Sequence, residues 1–193
     1  MGAGKSICGV PLLLGLLAAF PARATVDDVG AAGFTVSESA DIAAPADHVY
    51  RMLITPSRWW SSDHTYSHDA ANLTLDARAG GCWCEALPGG GSVQHMIVVN
   101  AMPDQLLRLR GGLGPLQAMA VNGVMTFTLK PSGPNTQLAM TYAVGGYSNT
   151  GFSQFARMVD AVLGEQIQRL RESLERGSPE PASHSTNMKG DSP

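Results

Sequence analysis

The sequence predicts an α+β fold in which a curved antiparallel sheet wraps around one long C-terminal helix. Residues 71–144 form short segments in which apolar and polar side chains alternate, a pattern that is typical of strands. Residues 152–176 carry apolar side chains at helical spacing. One helix across a meander of strands usually encloses a cavity, so the pattern favours a small-molecule-binding domain over a nucleotide-binding fold.

The first strand and two short helices precede the meander. Residues 34–42 alternate and predict a strand, and Pro45 suits the first position of a helix over residues 46–54. Ser57 is a candidate N-cap for a second short helix. Residues 61–70 are polar and predict a loop.

The later strands follow from alternation between Gly-rich and Pro-rich turns. Six of them are predicted, over residues 72–77, 82–87, 92–100, 105–110, 118–130 and 136–144. If the hairpin loop at 88–91 pairs Leu87 with Ser92, then Trp83 lies opposite Met96 and Cys84 lies opposite His95.

The final helix has an apolar stripe along its length. Burial of one such side chain stabilises by ~1.5–3 kcal/mol, so the stripe suffices to hold the helix on the sheet. In this architecture the sheet curves away from the N-terminal half of the helix. Phe152, Phe155 and Val159 are therefore the helical residues expected to face a pocket.

The N-terminal 24 residues are typical of a secretory signal peptide. Lys5 precedes an uncharged apolar run over residues 7–20, and Ala-Arg-Ala at 22–24 fits the small-x-small cleavage pattern. The run is shorter than the ~20 residues of a membrane span. We predict cleavage after Ala24, a periplasmic or secreted protein, and no stable membrane anchor after cleavage.

The predicted mature chain has a leader over residues 25–32, one domain over 33–176, and a disordered tail over 177–193 that is rich in Ser, Pro and Gly. The full chain has 13 basic and 16 acidic residues. Removal of Lys5 and Arg23 leaves eleven basic against sixteen acidic residues. This balance lacks the basic footprint of nucleic-acid-binding proteins, so no nucleic-acid partner is expected.

Three segments carry a resemblance to a known family. Ala-Ala-Pro-Ala-Asp-His-Val-Tyr at 43–50, Thr-Pro-Ser-Arg-Trp-Trp at 55–60 and Gly-Gly-Cys-Trp-Cys-Glu at 80–85 resemble motifs of the SRPBCC or START-like superfamily. The polyketide cyclase and chaperone-ATPase-activator-like branch is the most similar. The resemblance runs from Phe34 to about Arg176. It implies a helix-grip fold with a hydrophobic cavity, but no universal catalytic set.

The resulting prediction is an exported single-domain protein that holds a small hydrophobic ligand, such as a lipid or polyketide, without a cofactor. Two alternatives stay open: a cyclase- or hydrolase-type enzyme that uses Glu85 as acid or base, and a protein-interaction module of the chaperone-activator type. The predicted ligand-binding residues are Trp83, Glu85, Met96, Met119, Met125, Phe127, Met140, Tyr142, Phe152, Phe155 and Val159.

Glu85 and Trp83 share one strand face. If that face is concave, burial is expected to raise the pKa of Glu85 toward the range useful for acid–base catalysis. The alternative is an exposed sheet carboxylate paired with an arginine. Tyr142 either orients a ligand through its hydroxyl or is a core residue with its hydroxyl at the rim.

Two arrangements of residues bear on metal binding, and no metal is predicted. His64 and His68 are four residues apart, but they lie in a predicted loop and not on a helix. Cys84 opposite His95 is a second arrangement, and it depends on the hairpin register. Cys82 and Cys84 are either two half-buried thiols or a metal or redox pair, because neighbours at i and i+2 on a strand lie near or beyond the usual disulfide distance.

Overall fold

The computed structural model describes residues 23–176, in which one antiparallel sheet packs against a long helix. In chain order the elements are β1 (Arg23–Gly30), β2 (Gly33–Ile42), α1 (Ala46–Leu53), β3 (Leu73–Leu75), β4 (Cys82–Ala86), β5 (Ser92–Met102), β6 (Leu106–Arg110), β7 (Val121–Ser132), β8 (Asn135–Gly146) and α2 (Ser153–Glu175). Short 3-10 turns lie in the connections, including one over Pro56–Arg58.

The sheet has eight strands in the order β1-β2-β8-β7-β6-β5-β4-β3. Strands β3 to β8 form an antiparallel meander, and the pairing of β2 with β8 brings the first predicted strand beside the last one. The sheet is curved and does not close. The predicted α+β helix-grip fold is therefore confirmed.

Two local predictions need correction. The second short helix is a single 3-10 turn that starts at Pro56, and its preceding residue Thr55 makes no side-chain cap, so Ser57 is not the N-cap. Residues 25–32 are not a loose leader, since most of them belong to β1, which pairs with β2 through contacts such as Val26 with Val36. A tight turn between Gly30 and Gly33 makes this hairpin possible.

Residues 1–22 and the predicted tail at 177–193 lie outside the described residues. Cleavage after Ala24 stays a prediction. Within residues 23–176, helices that are both long and apolar enough to cross a membrane are absent.

The core lies between the concave face of the sheet and α2. Alternate residues of β8 are buried, among them Leu138, Met140 and Tyr142, as the alternation predicts. Phe152, at the start of α2, packs against Phe34 with their ring centroids 6.0 Å apart. The C-terminal half of α2 buries Leu170. This packing leaves only part of the N-terminal half of α2 available to a cavity.

Candidate functional site

A cavity of about 630 Å³ lies beside the N-terminal half of α2. Its other walls come from β3, β4 and β5 and from two connections, residues 54–72 between α1 and β3 and residues 111–120 between β6 and β7. The lining residues are Trp60, Asp63, His64, Thr65, Tyr66, His68, Leu73, Trp83, His95, Leu113, Gly114, Pro115, Leu116, Phe155, Met158, Val159, Val162 and Leu163.

Three predicted ligand-binding residues, Trp83, Phe155 and Val159, lie in the cavity wall. Glu85 lies behind the wall and contacts it through His95. The remaining predicted residues lie outside the wall, because core packing covers the inner face of the sheet there. Met96, Met125, Phe127, Met140, Tyr142 and Phe152 are buried in the core, and Met119 is partly buried against it.

A β-bulge between β4 and β5 brings His95 to the cavity. Trp83 pairs with Met96, as the predicted register has it, but Cys84 pairs with Gln94. His95 is the extra residue, so the predicted pairing of Cys84 with His95 is wrong by one position. A bulge turns a side chain away from the alternation of its strand, and His95 and its neighbour Met96 are both buried.

The bulge sets His95 against Glu85. The Nε2 atom of His95 lies 2.9 Å from Oε2 of Glu85. The same oxygen accepts a hydrogen bond from the backbone N–H of Tyr66 at 3.1 Å, and Oε1 accepts one from the backbone N–H of Ser67. Glu85 is 1% exposed and His95 is 7% exposed. A carboxylate fully supplied with donors thus lies directly behind the cavity wall.

The environment lowers the pKa of both groups. Burial alone raises the pKa of Glu85, but hydrogen bonds from Ser67, Tyr66 and His95 outweigh burial and lower the pKa below its ordinary value. The expectation of a raised pKa is therefore wrong in direction. Burial lowers the pKa of His95, and the nearby Glu85 only partly opposes this. At neutral pH the pair is an ionised carboxylate beside a neutral imidazole.

Tryptophan side chains form the wall next to this pair. Trp60 meets Trp83 edge to face, with ring centroids 4.9 Å apart, and the indole N–H of Trp60 donates to the carbonyl of His64 at 3.0 Å. Trp59 is 2% exposed and packs against Trp60 outside the cavity wall. The two adjacent tryptophans therefore divide into one core anchor and one cavity residue.

Residues 61–70, which the sequence predicts as a polar loop, form the roof of the cavity. Two contacts hold the loop on α2: the backbone N–H of Ser61 donates to Oε1 of Gln166 at 2.8 Å, and His64 Nε2 lies 3.1 Å from Glu165 Oε2. The hydroxyl of Tyr66 donates to the carbonyl of Gly114 at 3.0 Å, which joins the roof to the β6–β7 connection. Residues 61–70 show no periodic pattern that would predict this role.

The two histidines of the loop differ in their surroundings. His64 pairs with Glu165, and His68 adopts a positive φ of 58° in the loop. Across residues 23–176, His, Cys, Asp and Glu side chains do not gather in groups of three or more that would hold a metal ion.

Tyr142 uses its hydroxyl to hold the β6–β7 connection. The hydroxyl donates to the carbonyl of Gly111 at 3.0 Å and accepts from the backbone N–H of Leu113 at 3.3 Å. Burial raises the pKa of Tyr142 to about 12, against the smaller opposing effect of the Leu113 hydrogen bond. Tyr142 thus positions Leu113 in the cavity wall without lining the cavity itself.

Cys82 and Cys84 form a disulfide on the outer face of β4. Both cysteines are half-buried, whereas Trp83 and Glu85 on the same strand are buried on the inner face. The two Cα atoms lie 5.4 Å apart, which is within the usual disulfide range and shorter than expected for an extended strand. The pairing irregularity between Trp83 and Cys84 coincides with this short separation.

Comparison with known proteins gives one family and a group of similar folds. A family model described as polyketide cyclase / dehydrase and lipid transport matches residues 33–175. No curated protein matches the chain in sequence.

The fold is similar to several solved structures. A conserved protein of unknown function from Enterococcus faecalis aligns with a TM-score of 0.58 and 15% identity, covering 83% of this chain and 82% of that chain. CalU16 from Micromonospora echinospora aligns with a TM-score of 0.53 and 17% identity, covering 83% of this chain and 87% of that chain. The Aha1 dimer from Colwellia psychrerythraea aligns with a TM-score of 0.50 and 17% identity, covering 75% of this chain and 98% of that chain. At these identities the likeness shows the shared fold alone.

Proposed function

The chain belongs to the polyketide cyclase / dehydrase and lipid transport family, and from this premise we propose that it binds a small hydrophobic ligand in the cavity beside α2. The observation that carries the proposal is the cavity itself. Its volume of about 630 Å³ falls within the roughly 300–1,000 Å³ typical of small-molecule sites. Its inner wall is aromatic and aliphatic, with Trp60, Trp83 and Phe155 among its members.

A lipid or polyketide is the proposed ligand type. Burial of apolar ligand surface against such a wall supplies the driving force, at about 25 cal/mol per Å² of apolar area removed from water. Met158 and Val159 on α2 add aliphatic surface to the wall. Methionine is unbranched and polarizable, so this side of the wall adapts to ligands of different shape.

Export is a further part of the proposal. The apolar run over residues 7–20 and the small-residue pattern at 22–24 support a cleaved signal peptide and a periplasmic or secreted protein. The Cys82–Cys84 disulfide supports the same compartment, because disulfides persist mainly in oxidising environments.

Catalysis of the cyclase or hydrolase kind is a second candidate, and the His95–Glu85 pair is the observation that favours it. Glu85 is ionised and enclosed by donors, which makes it a poor general acid. In an enzyme Glu85 would orient His95, and His95 would be the proton acceptor at the cavity. The third candidate, an interaction module of the chaperone-activator type, has only the fold likeness to Aha1 in its favour.

The binding proposal is tested with N-phenyl-1-naphthylamine, an uncharged apolar dye that emits strongly in apolar sites. The wild-type full chain should bind the dye saturably. Val159→Trp fills the cavity and should weaken binding at least about tenfold, which is ~1.4 kcal/mol. Ala161→Trp places the same side chain on the exposed face of α2 and should leave binding unchanged. Equal affinity of the three proteins would refute a ligand site in this cavity.

A further inference from the structure

We propose that Nδ1 of His95 is a hydrogen-bond acceptor at the cavity wall, and that it selects an apolar ligand carrying a neutral hydroxyl group. This inference rests on the proposed ligand-binding function and specifies the polar group of the ligand. A phenol and an aliphatic alcohol share the required chemistry.

The contacts of Glu85 fix the tautomer of His95. The backbone N–H groups of Tyr66 and Ser67 can only donate, so the oxygens of Glu85 that they contact are acceptors. An ionised carboxylate has no proton to give. The proton in the 2.9 Å contact between His95 and Glu85 therefore lies on Nε2 of His95. In the neutral ring this leaves Nδ1 as a lone-pair acceptor.

The Nδ1 acceptor of His95 lies at the cavity. Among the described residues, hydrogen-bond partners of His95 are limited to Glu85 through Nε2. Nδ1 is also not among the fully buried side-chain atoms that lack a partner, so it keeps accessible surface. Because His95 is 7% exposed and lines the cavity, this surface opens on the cavity.

The other polar wall residues differ from His95. His64 is paired with Glu165, and the hydroxyl of Thr65 donates to the carbonyl of Ser62. Asp63 and His68 are exposed. Thr65 is as buried as His95, but its hydroxyl is already used in the loop, and the indole N–H of Trp83 lacks a partner but is a fully buried donor. His95 is therefore the buried wall residue that offers a ligand an accessible acceptor.

The surroundings also decide the kind of ligand group. A hydroxyl donates to Nδ1 and satisfies it, whereas an apolar group that covers Nδ1 leaves a buried acceptor unpaired, which is costly. A carboxylate offers only lone pairs and adds a second negative charge near Glu85. The site thus favours a neutral alcohol or phenol over both a hydrocarbon and a fatty-acid anion.

The test compares 4-hexylphenol with its methyl ether, 4-hexylanisole, and with heptanoate as the anion, each displacing N-phenyl-1-naphthylamine from the full chain. One hydrogen bond predicts about tenfold tighter binding of the phenol than of the ether. His95→Phe should bind both equally, and tight binding of the ether shows that the variant is folded. 1-Hexanol against its methyl ether repeats the comparison for an aliphatic hydroxyl.

Two results would overturn the inference and leave the proposed function standing: equal affinity of wild type for the phenol and the ether, or preference for heptanoate. Nitrogen-15 NMR of wild-type His95 gives a readout independent of variant folding. It should show a protonated Nε2 and an unprotonated Nδ1 whose resonance shifts when 4-hexylphenol is added. Protonation at Nδ1 would refute the assignment. Failure of dye and probes alike to bind would instead refute the proposed function.

Discussion

The charge of Asp160 on α2 disfavours ionisation of Glu38 on β2 at the interface between sheet and helix. Glu38 is 2% exposed, and neither of its carboxyl oxygens has a hydrogen-bond partner among the described residues. Burial, followed by the charge of Asp160, raises the pKa of Glu38 to about 8. Burial and the nearby Asp27 on β1 also raise the pKa of Asp160. Near neutral pH the interface therefore holds Glu38 as a neutral acid.

Stability should decrease with rising pH because of Glu38. The unfolded chain releases this proton near the ordinary pKa of 4.5, whereas the folded protein keeps it up to about 8. Since the folded state binds more protons in this window, the free energy of unfolding falls as pH rises through it. Urea unfolding at several pH values should show that the free energy of unfolding falls less steeply with pH in Glu38→Gln than in wild type. Asp41→Asn, an exposed control on the same strand, should keep the wild-type slope.

Glu85→Gln should destabilise the protein. The carboxylate accepts from Tyr66, Ser67 and His95, and an amide nitrogen in its place would face a donor. A buried donor left unsatisfied costs about 1–3 kcal/mol, so urea unfolding at pH 7 should show a loss of this size. The difference in unfolding free energy between wild type and Glu85→Gln should shrink as pH falls through the lowered pKa of Glu85, because wild type then loses its carboxylate too.

The exposed Asp76–Arg78 pair supplies the control for Glu85. Asp76→Asn should change the unfolding midpoint little, since exposed ion pairs contribute little to stability. If Glu85→Gln were equally mild, the hydrogen bonds to Glu85 would have no structural role.

Gly123 and Tyr142 should prove sensitive because they position the β6–β7 connection. A Cβ atom at Gly123 would lie 2.6 Å from the Tyr142 hydroxyl oxygen, so Gly123→Ala forces the ring to move, with an expected cost of about 1–3 kcal/mol. Tyr142→Phe removes only the hydrogen bonds and should cost about 0.5–1.5 kcal/mol. Thermal unfolding, monitored by circular dichroism, measures the loss of stability in both variants.

A second glycine tests whether the effect at Gly123 is specific. At Gly145 on β8 a Cβ would approach its nearest neighbour, the carbonyl oxygen of Ala32, at 3.5 Å, an ordinary contact. Gly145→Ala should therefore be tolerated. Comparable losses at the two glycines would argue against the contact with Tyr142 as the cause.

The Cys82–Cys84 disulfide should contribute little to global stability. It closes a loop of only three residues, for which the loop-entropy relation gives roughly 1.6 kcal/mol. The double variant Cys82→Ser with Cys84→Ser should lower the free energy of unfolding by no more than about 2 kcal/mol. Wild type reduced with dithiothreitol should lose a similar amount of unfolding free energy. A much larger loss would mean that the bond maintains the bulge at His95.

Periodicity predicted the elements whose side chains alternate between core and solvent. The final helix was predicted over residues 152–176 and spans Ser153–Glu175. The inward set of β8, including Leu138 and Met140, was likewise visible in the sequence. In both cases burial of one face is repeated along the whole element, so the local pattern carries the information.

The candidate site depended on features that have no periodic signal. The bulge at His95 is a shift of one residue, and an alternating pattern does not locate such a shift. The partners of Glu85 come from the backbone of Tyr66 and Ser67, and no residue type marks a backbone donor. For that reason the sequence predicts the wrong direction for the Glu85 pKa, and it leaves open whether the side chain is buried or exposed.

The tryptophan cluster gives the protein an internal optical reporter. The protein contains three tryptophans, and each ring contacts the next. The ring centroids lie 5.4 Å apart for Trp59 and Trp60 and 4.9 Å apart for Trp60 and Trp83. Electronic transitions of indoles at such distances couple, so the cluster should give an exciton signal in the ultraviolet. Because Trp60 and Trp83 also line the cavity, a molecule that enters it should perturb these two rings and therefore the signal. Occupancy of the site can therefore be followed on the unlabelled protein.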